Sequence, residues 1–238
     1  MIPKIIHYCW FGTEAPGPLQ QRCLESWRVT LPGFTLKRWD ASNSQLGSRY
    51  AQACMRDQRW SRLANLVRLQ ALFNEGGVYL DTDVEVLKDL TPLLSDPCFL
   101  GFQQREAHAE WVNTAVVGSV AGHAFVRMCM DRILETFEHT GRIDRSPVTA
   151  TAVLSRLGLS DYGYQKIGGV TLYPVDYFYP YSWLEDSSDA RLTSNTYCIH
   201  HWAASWKKGL VLEMPRPLRR LRRRLANWAR NLLGRGNH

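Results

Sequence analysis

Residues 62–86, Arg62-Leu-Ala-Asn-Leu-Val-Arg-Leu-Gln-Ala-Leu-Phe-Asn-Glu-Gly-Gly-Val-Tyr-Leu-Asp-Thr-Asp-Val-Glu-Val86, decide the fold. Leu63, Leu66, Val67 and Ala71 recur at helical spacing, and Gly76-Gly77 supply the left-handed stop that ends a helix over 61–75. The period then changes. Positions 78, 80, 84 and 86 are apolar whereas 79, 81, 83 and 85 are polar or amphipathic, which predicts a single strand over 78–86. On such a strand Asp81 and Asp83 share a face, about 6.5–7 Å apart. Two carboxylates so placed can converge on one divalent cation, and hard oxygen ligands favour manganese or magnesium. Their spacing alone fits the solvated face of an edge strand, and a metal-dependent phosphohydrolase or nuclease, as well as it fits sugar transfer.

Outward from this stretch the chain alternates between strand and helix. Residues 3–11 read as a buried strand stopped by Gly12, residues 19–30 as a helix broken at Leu31-Pro32-Gly33, and 34–39 as a second strand. Downstream, 98–102 and 112–118 read as strands, 122–138 and 148–157 as helices, 170–180 as an extended aromatic segment and 196–202 as a late strand. This order predicts an α/β fold with a mainly parallel sheet flanked by helices.

A chain of 238 residues, 45% hydrophobic, can build one substantial core. Its net charge of +7 is local: residues 216–238 hold eight Arg and no Lys, Asp or Glu, so the rest has 29 − 8 = 21 basic against 22 acidic residues. Within 216–235, Leu218, Leu221, Leu225, Trp228 and Leu232 recur at spacings of three and four, with Arg219, Arg220, Arg222, Arg223 and Arg224 between them. This basic amphipathic helix suits an anionic membrane surface; packing of its Leu stripe on the body is the alternative, and nucleic acid is not an expected partner. The expected division is a catalytic domain over 1–212 and a basic tail over 213–238. Six cysteines without a C-x-x-C pair argue against a zinc ribbon or thioredoxin-like motif and for free thiols. Without a signal-like apolar core or a run near about 18 apolar residues, the expected location is cytoplasmic, peripheral on the inner face of the membrane.

The match of 62–86 extends beyond its two aspartates. The stretch resembles the D-x-D sugar-binding region of glycosyltransferase family 32, itself similar to the catalytic domains of the large clostridial glucosylating toxins. Ile5-Ile-His-Tyr-Cys-Trp-Phe-Gly12, Val112-Asn-Thr-Ala-Val-Val-Gly118 and Ile199-His-His-Trp-Ala-Ala-Ser-Trp206 resemble further blocks of the same family. The resemblance implies a GT-A, Rossmann-like fold and retaining transfer of a hexose from a nucleotide sugar, UDP-linked or GDP-mannose, to a glycan or lipid-linked saccharide in cell-surface polysaccharide synthesis.

It also implies roles. Trp10 stands where the family stacks an aromatic ring on the donor base. Asn65 and Arg68 stand where it holds the donor ribose and sugar, and Tyr79 where a tyrosine lies near the donor. Asp81, Asp83 and His201 are the implied manganese or magnesium ligands. Ser205 and Trp206 correspond to a lid that meets the diphosphate. The chain departs from the family at Ala64-Asn65, where Ser-Asp is usual, so a neutral amide replaces a carboxylate, and this departure leaves a non-catalytic carbohydrate- or membrane-binding relative as an alternative. Retaining transfer needs no protein nucleophile, and Glu85, Asn113 and Asp176 are candidates to orient an acceptor hydroxyl.

Overall fold

The computed structural model describes residues 1–183, 185 and 190–203. Strands β1 (Ile5–Cys9), β2 (Thr35–Trp39), β3 (Gly77–Leu80), β5 (Cys98–Phe102), β6 (Val112–Ser119), β7 (Gln165–Ile167) and β8 (Val170–Tyr173) form one seven-stranded sheet in the order β2-β1-β3-β6-β5-β8-β7. The pairs β1–β2, β1–β3 and β5–β8 are parallel, so β6 and β7 alone run against the common direction. Strands β4 (Val84–Val86) and β9 (Cys198–His200) form a separate antiparallel pair. The expected mixed, mainly parallel α/β sheet is present.

Helices cover both faces. Helix α3 (Trp60–Glu75), α4 (Ala124–Thr140) and α5 (Ser146–Arg156) bury Leu63, Leu66, Phe125, Ile133 and Leu154 in one core; α1 (Pro18–Thr30), β4 and the short α6 (Val175–Phe178) enclose the other around Trp27, Val84 and Phe178. Strand β3 separates the two: Val78 and Leu80 point into the α1 side and Tyr79 into the α3 side, the period-two alternation of a central strand.

Glycines set two of the closest approaches. Gly76 and Gly77 have φ of 67° and 115°, and a Cβ on Gly77 would lie 2.8 Å from the Ile5 carbonyl oxygen, so only glycine lets α3 turn straight into β3 beside β1. A Cβ on Gly118 would meet the Phe99 ring at 2.0 Å, so glycine is what allows that ring to cross β6.

Several boundaries differ from expectation. The segment 78–86 is not one strand: β3 ends at Leu80, Asp81–Asp83 form a turn closed by Val84 N–H on the Asp81 carbonyl at 2.9 Å, and β4 begins in the other sheet. Alternation in sequence continues across the turn, which hid the break. Residues 170–180 are extended only to Tyr173, because Pro174 caps α6. Helix α2 (Arg49–Arg56) and strand β7 were not expected; α2 is short and is started by Ser48, whose side chain accepts from Ala51 N–H. All six cysteines are free and buried, as expected. No helix of the described residues is long and apolar enough to cross a membrane. The basic tail 213–238, with Ser205 and Trp206 before it, lies outside the described residues.

Candidate active site

The chain leaves the main sheet at Asp81, whose N–H still donates to the Ala115 carbonyl at 2.8 Å. Three residues later, at Val84, it joins β9, and the register Val84↔His200 brings His200 to the turn. Asp81, Asp83 and His200 each offer a ligand atom, all within 4.8 Å of one another. The aspartates therefore converge because they sit on a turn, not because they alternate along a strand.

Asp81 is held from below. Its Oδ1 accepts from the Arg68 guanidinium and from the Tyr79 hydroxyl, each at 2.9 Å. Arg68, 4% exposed, is fixed in turn by the Thr114 carbonyl at 2.6 Å and by the face of Tyr79, with its guanidinium carbon 4.3 Å from the ring centroid. Burial pushes the Tyr79 phenol well above its ordinary range, so it remains a donor. An arginine enclosed in this way requires its anion, since removing one partner of a buried pair leaves an uncompensated charge.

Asp83 is held from above. Its Oδ1 lies 3.3 Å from His200 Nε2, its Oδ2 accepts from Ala203 N–H at 2.8 Å, and its carbonyl accepts from His201 N–H at 2.9 Å. Burial opposes ionisation of this carboxyl, but His200 and the N–H donors outweigh it and hold it below the usual carboxylate range. The segment that supplies these donors is strained at Trp202, whose φ is 52°; its indole donates to the Tyr181 carbonyl at 3.0 Å and its ring lies 4.1 Å from His200.

His201 is the expected third ligand, but the ring that stands beside the two aspartates is that of His200. Adjacent residues at a strand end point to opposite sides, and His201 turns to Glu85, with Nε2 2.7 Å from Oε2, and to the Tyr181 hydroxyl at 3.4 Å. Glu85 is thereby committed to His201 and, at 3.7 Å, to Arg22. Two carboxylates and an imidazole suit manganese. Among the described residues His200 Nδ1 is buried without a hydrogen-bond partner, its Nε2 faces the two aspartates, and the donor set fits a divalent ion.

The remaining expected residues divide. Trp10 directly follows β1, which is parallel to β3, so it stands at the same edge of the sheet as Asp81; it is half-buried, with its indole on the Glu14 carbonyl at 2.7 Å. Asn65 lies one turn before Arg68 on α3, buried, with no side-chain hydrogen bond to a described residue. Asn113 is not available to an acceptor: its amide is spent on Gln103 at 2.6 Å and on Ala115 N–H at 2.7 Å, holding the irregular register between β5 and β6. Asp176 binds Thr193 and Asn195 and secures their loop. Arg22, Thr114 and Tyr181 were not singled out in the sequence; each acts through tertiary contact and carries no local pattern.

Comparison with known proteins agrees with this geometry. The description "glycosyltransferase sugar-binding region containing DXD motif" matches residues 17–100, and "alpha 1,4-glycosyltransferase conserved region" matches 118–224. A lactosylceramide 4-alpha-galactosyltransferase from Mus musculus is 30% identical over 59% of this chain and 40% of its own length. Inositol phosphoceramide mannosyltransferase 3 from Schizosaccharomyces pombe is 27% identical over 52% of this chain and 35% of its own. The chain thus spans well under half the length of either relative. The solved PaToxG glycosyltransferase superposes with a TM-score of 0.53 at 14% identity, covering 65% of this chain and 69% of that one, a likeness of fold. The first match contains the Asp81–Asp83 turn and the second contains strand β9 that pairs beside it, so the chain is similar over both regions to the D-x-D glycosyltransferases, as the family 32 resemblance implies.

Proposed function

We propose that the protein is a retaining, metal-dependent glycosyltransferase that moves a hexose from a nucleotide sugar, UDP-linked in preference to GDP-mannose, to the saccharide of a glycolipid or lipid-linked glycan. The observation that carries this reading is the convergence of Asp81, Asp83 and His200 at the sheet edge that also carries Trp10. A manganese or magnesium ion held there supplies Lewis-acid neutralisation of the departing nucleoside diphosphate. The chain's own residues prepare that site. Arg68 and Tyr79 orient Asp81, while Ala203 N–H holds Asp83 toward the same point. The Trp10 indole offers a flat face to a base, and the unpaired amide of Asn65 can both donate to and accept from sugar hydroxyls. The two relatives are named for ceramide glycolipids, and the first for an α-linked product, which supports a lipid-borne acceptor and retention. We assign catalysis to residues 1–212 and surface attachment at the inner membrane face to 213–238.

The test is incubation of the full chain with manganese and, separately, UDP-galactose, UDP-glucose, UDP-N-acetylglucosamine and GDP-mannose, following slow donor hydrolysis and thermal stabilisation. One donor is expected to stabilise the fold and release its sugar in a chelator-sensitive reaction that Asp83→Ala slows by about a hundredfold or more. Phosphate release from nucleic acid or a phosphomonoester, with every sugar nucleotide inert, would replace this reading with a phosphohydrolase.

A further inference from the structure

A cavity of about 310 Å³ opens on the opposite flank of α3, between β2, the loop that follows it and the last turns of the helix. Its volume lies in the range of small-ligand pockets, about 300–1,000 Å³. None of the residues lining it belongs to the Asp81–Asp83–His200 cluster or to the Arg68 network.

The wall is built from alternate residues of the edge strand and from successive turns of the helix. Lys37 and Trp39 share one face of β2, and Gln70 and Asn74 stand one turn apart on α3. Lys37 Nζ pairs with Glu75 at 2.6 Å and lies 4.7 Å from the Trp39 ring centroid, so the fixed charges of the wall cancel. The indole is rigid: Trp39 Nε1 donates to Nδ1 of buried His7 at 3.0 Å, and His7 Nε2 donates to the Gly76 carbonyl at 2.7 Å. Gln70 Nε2 donates to the Gln45 carbonyl at 3.2 Å, whereas its Oε1 is buried with no partner. Beside Gln45, the buried Ser44 hydroxyl is unpartnered as well. An unsatisfied buried acceptor is costly, and a ligand hydroxyl that reaches Oε1 while Nε2 stays on Gln45 removes that cost.

We propose that this cavity binds a neutral sugar ring, as a second saccharide site remote from the D-x-D turn. Sugar hydroxyls both donate and accept, matching a wall that carries the neutral amides of Asn43, Gln45, Gln70 and Asn74 beside one indole. An anion finds Lys37 already neutralised by Glu75, and an apolar ligand finds a single aromatic flank. The site does not depend on the transfer reaction, and its test is separate from that of the proposed activity.

Lactose and maltose are titrated to about 50 mM into the full chain carrying Asp83→Asn, without nucleotide or metal, and followed by the Trp39 indole and the Gln45, Gln70 and Asn74 side-chain amide resonances. Saturable shifts of these signals are expected for at least one sugar. Gln70→Leu, nearly isosteric, should weaken that binding about fivefold, the effect of one neutral hydrogen bond. Should Gln70→Leu fail to fold, the exposed Asn74→Ala gives the same comparison. No shift with either sugar, shifts confined to residues around Trp10 and Asp81, or equal affinity in the folded variant overturns the site.

Discussion

At the scale of single residues, the two adjacent histidines face different partners, and the proposed activity makes one a metal ligand and the other a support. His200 presents Nε2 to Asp83, and His201 presents Nε2 to Glu85 on the other side of the β4–β9 pair. Removing a ligand acts on the ion directly, whereas removing His201 acts only through Glu85, Arg22 and the path of the backbone. His200→Ala is expected to raise the manganese concentration for half-maximal donor hydrolysis by roughly a hundredfold, and His201→Ala by less than about tenfold. A manganese titration of both variants decides between them, and the reverse order restores His201 as the ligand. The sequence identified the pair and their opposite orientation but not which ring stands beside the aspartates, because that is set by the register Val84↔His200, a long-range pairing without a local signal.

At the scale of elements, helix α4 carries a device that depends on pH. His123 is its N-cap, and the imidazole Nδ1 accepts from Phe125 N–H at 3.2 Å, a role open only to the neutral ring. Burial lowers the pKa of His123 below 6.5, against a raising contribution from the Gly169 carbonyl; burial also lowers that of His7. In the unfolded chain both rings bind protons first as the solution is acidified. Stability that is complete above pH 6.5 is therefore lost as pH falls through the lowered native values. His123→Asn retains a capping acceptor and cannot titrate, so its melting temperature should fall less than that of the parent between about pH 7 and pH 5, with a difference near the value of a cap, about 1 kcal/mol. A parallel loss in both proteins would assign the acid sensitivity to His7. The elements themselves were legible wherever one period ran long enough: α3, with Leu63, Leu66 and Val67 on one face, and α4 fell within a few residues of expectation. The strand expected over 78–86 failed for the converse reason, since the three-residue turn Asp81-Thr82-Asp83 conserves the parity of the alternation on either side and carries no glycine or proline to mark it.

At the scale of the whole molecule, the charge is divided as sharply as the sequence: a nearly neutral body carries the turn, and eight arginines lie in 216–238. The proposed glycolipid acceptor gives this division a purpose, because a lipid-borne saccharide is met at a surface, and a protein held there searches two dimensions rather than three. Near an anionic bilayer each arginine contributes about 1 kcal/mol, or roughly fivefold in partitioning, and the contribution fades over a Debye length of about 8–10 Å. Replacing Arg219, Arg220, Arg222, Arg223 and Arg224 by Gln keeps the Leu spacing while removing most of that attraction. Sedimentation with vesicles of phosphatidylserine and phosphatidylcholine should show the parent bound and the variant largely free, with the difference shrinking as salt is added. Donor hydrolysis in solution should be equal in the two proteins, since these substitutions lie outside the Asp81–Asp83–His200 cluster and the residues that hold it. If vesicle binding survives but the variant melts earlier, the Leu stripe packs on the body and the arginines serve that contact; if donor hydrolysis falls instead, the tail belongs to the catalytic unit, and the boundary near residue 212 has to move.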